Sequence, residues 1–204
     1  MNLVAQNLAT RRGAPLLMAG ISFVVGAGEG LLLLGANGTG KTTLIRTIAG
    51  LLAPSAGSIR IEGGDPERSV GEQCHYVGHL NAVKGALTVA ENANFWCRFL
   101  GGAPGRLDAA LAAFGLAGLR DIPASYLSAG QRRRLGLARV LLAERPVWLL
   151  DEPTVSLDAA AAKALTRVLA EHLANGGLCV AATHVPLGLS NARELDLGGP
   201  ANPT

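Results

Sequence analysis

The stretch Gly35-Ala36-Asn37-Gly38-Thr39-Gly40-Lys41-Thr42 fits the pattern GxxxxGK[ST], and Thr43 follows it. Glycines at that spacing let successive backbone N–H groups curl around phosphate oxygens, and a helix beginning near the lysine adds its positive end. Lys41 is then placed to reach the β- and γ-phosphates, and the Thr42 hydroxyl to ligate Mg²⁺. A second group lies far along the chain, where the apolar run Val147-Trp148-Leu149-Leu150 ends on Asp151-Glu152. Carboxylates at the tip of a buried strand are costly unless a positive partner meets them. Mg²⁺ held by Asp151, directly or through water, supplies that partner, and Glu152 can orient and deprotonate an attacking water. Between the two, Leu127-Ser128-Ala129-Gly130-Gln131 opens a helix with Ser128 as its N-cap.

These groups need a scaffold that brings distant segments together. Leu3–Ala9 and Leu16–Val25 read as strands separated by turn-forming residues, and Leu31–Leu34 reads as a buried strand leading into the glycine-rich loop. Thr42–Ala49 carries a helical pattern that stops at Gly50. Ser58–Ile61 and Cys74–Gly78 read as short strands. From Leu87 to about Leu119 the character is helical, with Leu107, Leu111 and Phe114 on one stripe. Ser128–Ala143 and Ala159–Ala174 read as helices. Val147–Asp151 and Leu178–Thr183 read as buried strands, and Glu194–Leu197 as a short edge. This alternation predicts an α/β fold with a mostly parallel core sheet, an early antiparallel section and a helical insertion at about 85–140.

Composition narrows the class. The chain has 204 residues, of which 49% are hydrophobic and 16% charged, which suits one packed domain and excludes a disordered chain. The apolar runs fall far short of the roughly 20 residues that span a bilayer. The net charge is +3, but lysines are few and the only basic cluster is Arg132-Arg133-Arg134. A solvated helix face accounts for that triplet better than a phosphate-tracking patch, so no nucleic acid partner is expected. Cys74, Cys97 and Cys179 lack any CxxC spacing, and neither a disulfide framework nor a zinc site is expected. Thr10-Arg11-Arg12 looks faintly like a twin-arginine export signal. The stretch after it holds Pro15 and glycines and runs into the strand that the phosphate loop requires, so export is not expected.

In order, these motifs resemble those of the ATP-binding subunits of ABC transporters, P-loop NTPases whose signature is LSGGQ. The resemblance covers essentially the whole chain, 1–204, as a single ATP-binding domain. It implies ATP and Mg²⁺ as cofactors, Walker A at Gly35–Thr42 with Thr43 also at the phosphates, the signature at Leu127–Gln131, Walker B at Val147–Glu152, a D-loop at Ser156-Leu157-Asp158, and a switch histidine at His184. In that family two subunits pair head to tail, each ATP lying between one Walker A and the other signature. The resemblance therefore implies a homodimer in which Ser128 and Gly130 meet the partner's nucleotide, with Glu152, His184 and His79 as the catalytic set. Ala129 replaces the first signature glycine. Arg11 and Arg12 stand where an aromatic ring on adenine is expected, so stacking falls to a guanidinium or is weak.

Within the family the chain is most similar to the ATP-binding subunits of heme exporters that serve c-type cytochrome maturation. Tyr76-Val77-Gly78-His79 stands where most members carry a Q-loop glutamine, and that branch uses Gly-His there. Ala182-Thr183-His184-Val185-Pro186-Leu187 and Leu87-Thr88-Val89-Ala90-Glu91-Asn92 are similar as well, and the chain ends about twenty residues after His184. The resemblance implies an ATP-hydrolysing subunit at the cytoplasmic face of a bacterial inner membrane. Its partners would be a multispanning subunit of the maturation B type, C and D subunits and a heme chaperone. The alternatives are the ATPase of another small exporter, for lipids, drugs or peptides, and a soluble ABC ATPase of iron–sulfur assembly. The short interval between Lys41 and Leu127 argues against the DNA-repair members, which insert a long coiled coil there.

Overall fold

The structure is a computed structural model, and it describes residues 1–11 and 16–198. Strands β1 (Asn2–Arg11), β2 (Leu16–Gly26) and β4 (Ala56–Glu62) form a three-stranded antiparallel sheet in the order β2-β1-β4. Strands β3 (Gly30–Leu34), β5 (Cys74–Val77), β6 (Val147–Asp151), β7 (Leu178–Ala182) and β8 (Ala192–Asp196) form a second sheet in the order β5-β6-β7-β3-β8, all parallel. Such a sheet is buried on both faces, which is why β6 and β7 read as unbroken apolar runs with every residue buried.

Successive side chains of a strand point to opposite faces, and the core divides accordingly. Leu31, Leu33, Leu149 and Val180 pack with Leu44, Ile45 and Ile48 of helix α1 (Lys41–Ile48) and with Leu3 and Leu8 of the antiparallel sheet. Leu32, Leu150 and Ala181 pack on the other side with Leu165 and Leu169 of α5 (Ala159–Ala174) and with a helical layer. That layer is α2 (Val89–Phe99), α3 (Arg106–Ala113) and α4 (Ala129–Ala138). The expected helical stretch is broken at Gly101-Gly102. Gly101 takes φ 73°, and a side chain on Gly102 would run into the Leu142 carbonyl. Leu111 and Phe114 are buried from the predicted stripe, with Leu107 packed beside them. Helix α4 ends five residues earlier than its pattern suggested and continues as a 3-10 turn over Arg139–Leu141. Strand β8 begins two residues before the expected edge and pairs parallel to β3.

Two histidines belong to packing. His75 lies 3% exposed with Nε2 at 2.8 Å from the Ala143 carbonyl, and His172 stacks on Trp148 with ring centroids 3.8 Å apart. Burial lowers both from the ordinary 6.5 to about 4. In the unfolded chain both rings take up protons near their ordinary value, so the unfolded state binds more protons across this window. The stability these rings contribute is complete above pH 6.5 and is withdrawn as pH falls toward 4, by about 3 kcal/mol for His75 and less for the half-buried His172. Urea midpoints measured between pH 7.5 and pH 4.5 should therefore decline, and His172→Phe, which keeps the stack, should shallow the slope. A midpoint flat over that range would contradict this account.

Candidate nucleotide site

Because the strands of the second sheet are parallel, the loops that leave β3, β6 and β7 emerge along one edge. Leu33 and Asp151 both stand in register with Ala182, so the glycine-rich loop, the carboxylate turn and the Thr183–His184 turn are neighbours there. An edge of this kind is the usual ligand crevice of parallel sheets.

The loop Gly35–Gly40 is built on left-handed glycines at Gly35 (φ 130°), Gly38 (φ 90°) and Gly40 (φ 102°). At Gly40 the backbone conformation is what demands glycine, since the atoms a Cβ would meet are the movable tips of Met18 and Leu17. Lys41, 7% exposed, folds back so that its ammonium donates to the carbonyls of Gly35 at 2.6 Å and Ala36 at 3.1 Å. Thr39 closes the loop by donating to the Ala36 carbonyl at 3.0 Å. Thr42 donates its hydroxyl to Asp151 Oδ1 at 3.0 Å, while Asp151 Oδ2 is buried with no partner among the described residues. A buried carboxylate oxygen left open beside a threonine hydroxyl is the donor set a hard divalent cation takes, so the residues fit Mg²⁺. Lys41, Thr42, Thr43, Asp151 and Glu152 share a cavity of about 200 Å³ with Asn37.

His184 joins this edge from the end of β7. Its Nε2 lies 3.0 Å from Asn37 Oδ1 and 3.2 Å from Glu152 Oε1, so one imidazole spans the loop and the carboxylate. Asn37 is expected among the phosphate-binding residues of the loop, whereas its contact with His184 has no signal in the spacing. Leu17 also lines the cavity. Arg12 lies outside the described residues, as does the side chain of Arg11, so the adenine contact assigned to them falls there too.

The segment Leu127–Gln131 starts α4 with a reciprocal cap. Ser128 Oγ accepts from the Gln131 amide at 3.1 Å, and Gln131 Oε1 accepts from the Ser128 amide at 2.8 Å. Leu127 is buried as an anchor, whereas Ser128 and Ala129 are exposed. Glycine is needed at Gly130, where a Cβ would stand 2.8 Å from the Ser156 carbonyl. Alanine at the exposed position 129 meets no such demand. Asp158 caps α5 by accepting from the Ala161 amide at 2.7 Å, and Ser156 takes φ 66° in the turn before it, with Leu157 half-buried between them. His79 is exposed just beyond β5 and does not line the cavity.

The basic triplet overturns an expectation. Arg133 is not on a solvated face but 4% exposed, with its guanidinium spread over five backbone or side-chain oxygens. Burial lowers its pKa, and the charges of Asp151 and Glu152 act against that shift. Arg134 donates to the carbonyls of Phe114 at 3.0 Å and Gly115 at 3.4 Å. A run of three arginines carries no mark of which one turns inward.

Comparison with known proteins decides the family. The profile described as "ABC transporter" matches residues 18–155. The chain belongs to the ABC transporter family of ATP-binding subunits. It is 52% identical over 201 residues to the Rhodopseudomonas palustris cytochrome c biogenesis ATP-binding export protein CcmA, covering 98% of this chain and 100% of that one. The Agrobacterium fabrum protein of the same name is 51% identical, covering 98% and 96%. A solved ATP-binding subunit of an ABC transporter superposes with a TM-score of 0.84 at 26% identity, over 97% of this chain and 87% of the other. CbiO1 of Clostridium perfringens, part of the complex cbiONQ, gives 0.78 at 29% identity, over 96% and 85%. This ABC subunit is thus an ATP-binding, transport-coupled ATPase of a transporter complex. No helix among its described residues is long and apolar enough to cross a membrane.

Proposed function

We propose that this ABC subunit hydrolyses Mg-ATP to drive a bacterial inner-membrane complex that exports or delivers heme for c-type cytochrome assembly. The observation that carries this reading is the identity of about half of all residues, end to end, with CcmA export proteins. Residues 1–204 would act as one ATP-binding domain, its helical insertion at about 85–140. Within it, the N–H groups of Gly35, Ala36, Asn37, Gly38, Thr39, Gly40 and Lys41 cradle the phosphates, helped by the Thr43 turn and the Lys41 ammonium. Thr42 and Asp151 would hold Mg²⁺, which neutralises phosphate charge when bound. Glu152 takes the proton of the attacking water, and His184 fixes the Glu152 carboxylate while reaching toward the γ-phosphate side of the loop. The other subunit of a head-to-tail homodimer covers that phosphate with Ser128 and Gly130, and Ser156-Leu157-Asp158 carries the dimer contact back to the same helix.

The remaining partners are membrane proteins on whose cytoplasmic side this subunit would sit: a CcmB-like multispanning subunit, with CcmC- and CcmD-like subunits and a heme chaperone. Exposed apolar side chains support a docking surface. Leu52, after α1, and Phe99, at the end of α2 and 70% exposed, line one cavity of about 800 Å³, and Phe95 stacks on Phe99. His79 would couple this surface to the nucleotide, its imidazole offering one donor and one acceptor in place of a glutamine amide.

Purification from membranes in mild detergent should bring down a multispanning subunit together with a heme-binding companion. His79→Gln should still support cytochrome c formation. His79→Ala should keep ATP affinity in the isolated subunit while the complex loses most of its turnover. A preparation whose companions are a ribosome, DNA or an iron–sulfur scaffold would overturn the heme reading. An alanine variant equal to wild type in subunit and complex would remove His79 from coupling.

A further inference from the structure

The backbone at Glu152 takes φ 47°, a left-handed conformation rare outside glycine and costly unless the surroundings impose it. Two bonds hold it there. The Glu152 amide donates to the Ala182 carbonyl at 2.9 Å, and the Glu152 carbonyl accepts from Arg133 Nη2 at 2.7 Å. The same guanidinium donates to the carbonyls of Asp151 at 3.0 Å and Pro153 at 3.3 Å. From its other side Nη1 donates to the Gly78 carbonyl at 2.8 Å and to Asn81 Oδ1 at 3.2 Å. Arg133 comes from α4, the helix that Ser128 caps. One buried side chain therefore joins the signature helix, three consecutive carbonyls of the carboxylate turn, and both flanks of the His79 segment.

We propose that Arg133 is a positioning residue for hydrolysis, fixing the Glu152 turn to the helix that meets the partner's ATP. The proposal rests on the reading of Glu152 as base and of α4 as partner-facing. A guanidinium is a planar fork of five N–H donors, and all three of its nitrogens are engaged here. Seating a phosphate on the N-terminus of α4 then shifts the Glu152 turn and Gly78 together, because the fork ties them to one helix. An ammonium at the same place keeps the charge but has three donors and no plane, so it cannot hold both flanks in register. The neighbouring Arg134 makes a comparable pair of backbone bonds to Phe114 and Gly115, away from the carboxylates, and supplies the contrast.

The test measures steady-state ATPase kinetics, nucleotide affinity and melting temperature for purified wild type, Arg133→Lys, Arg134→Lys, Asn81→Ala and Glu152→Gln. Arg133→Lys should lower kcat by about 10-fold or more, with KM and ATP affinity within about 2-fold, because a misplaced base costs turnover and leaves ground-state binding intact. Arg134→Lys should match wild type. Asn81→Ala, which removes one acceptor from a partly exposed loop, should lower kcat by about 2- to 3-fold without changing the melting temperature. Wild-type kcat in Arg133→Lys would overturn the proposal. So would a common fall of kcat and melting temperature in Arg133→Lys beside a kinetically normal Asn81→Ala. Normal turnover in Glu152→Gln would instead overturn the base assignment, whatever Arg133→Lys shows.

Discussion

Glu152→Gln is expected to cut ATP turnover by about 10² or more while ATP remains bound, the range for losing a positioned general base. The amide has the shape of the carboxylate and can keep a hydrogen bond to His184, which stands 3.2 Å from Glu152 Oε1. Thr42 and Asp151 are untouched, so the cation site and the phosphate loop survive. What is lost is the capacity to accept a proton from water. Rapid-quench measurement of the bound nucleotide, with equilibrium titration of ATP, separates the two effects. The expected result is unchanged affinity with nearly all nucleotide uncleaved over many wild-type turnovers, and sizing should show an ATP-dependent dimer that persists. Near-normal turnover would take the base role from Glu152. His184→Ala in the same assay should show weaker loss than Glu152→Gln, because in the proposed mechanism the imidazole would orient the carboxylate and Glu152 would accept the proton.

The residues gathered at this edge were legible because each belongs to a type and spacing that few structures need. Lys41 and Thr42 after spaced glycines, and Asp151-Glu152 after four apolar residues, name their partners by cost alone. The strands β6 and β7 were equally plain, since burial on both faces demands unbroken apolar runs. Legibility failed where position depends on tertiary contact. The helical stretch after Leu87 ends locally, at Gly101 with φ 73° and the Gly102 amide bonded back to the Cys97 carbonyl; what the sequence hides is that position 102 must also be glycine, because the Leu142 carbonyl occupies the place of a side chain. Arg133 shows the same limit: it shares its residue type with both neighbours, and only the fold turns it toward Gly78 and the carboxylate turn. Asn37 reads as one of the free positions of its motif, yet His184 rests on it. The signature assignment stands between these cases, because the Ser128–Gln131 cap is local and visible, whereas the phosphate proposed for it would belong to another molecule.

Ser128→Arg tests that last point and should abolish ATP-dependent dimers while leaving ATP binding to each subunit intact. Ser128 is exposed at the N-terminus of α4, and the open amides of that first turn are the groups a phosphate would approach. An arginine there fills the approach with a long side chain and removes the Oγ acceptor of the Gln131 amide. Loss of the cap costs about 1 kcal/mol, too little to unfold a helix whose Leu135 and Leu137 are buried. In the proposed site the nucleotide of the same subunit lies against Gly35–Thr43, past the C-terminal end of β3, so its affinity should stay within about 2-fold, as expected when only a remote interaction is removed. The comparison is cleanest in a Glu152→Gln background, where ATP is not consumed and dimers accumulate. Light scattering with and without Mg-ATP should show a doubling of mass for Glu152→Gln alone and none for the double variant. Ser128→Ala, which loses the cap without adding bulk, should retain a weakened dimer. Dimers that persist in Ser128→Arg would mean that α4 faces away from the partner, and the tie through Arg133 would then have no ATP at its far end.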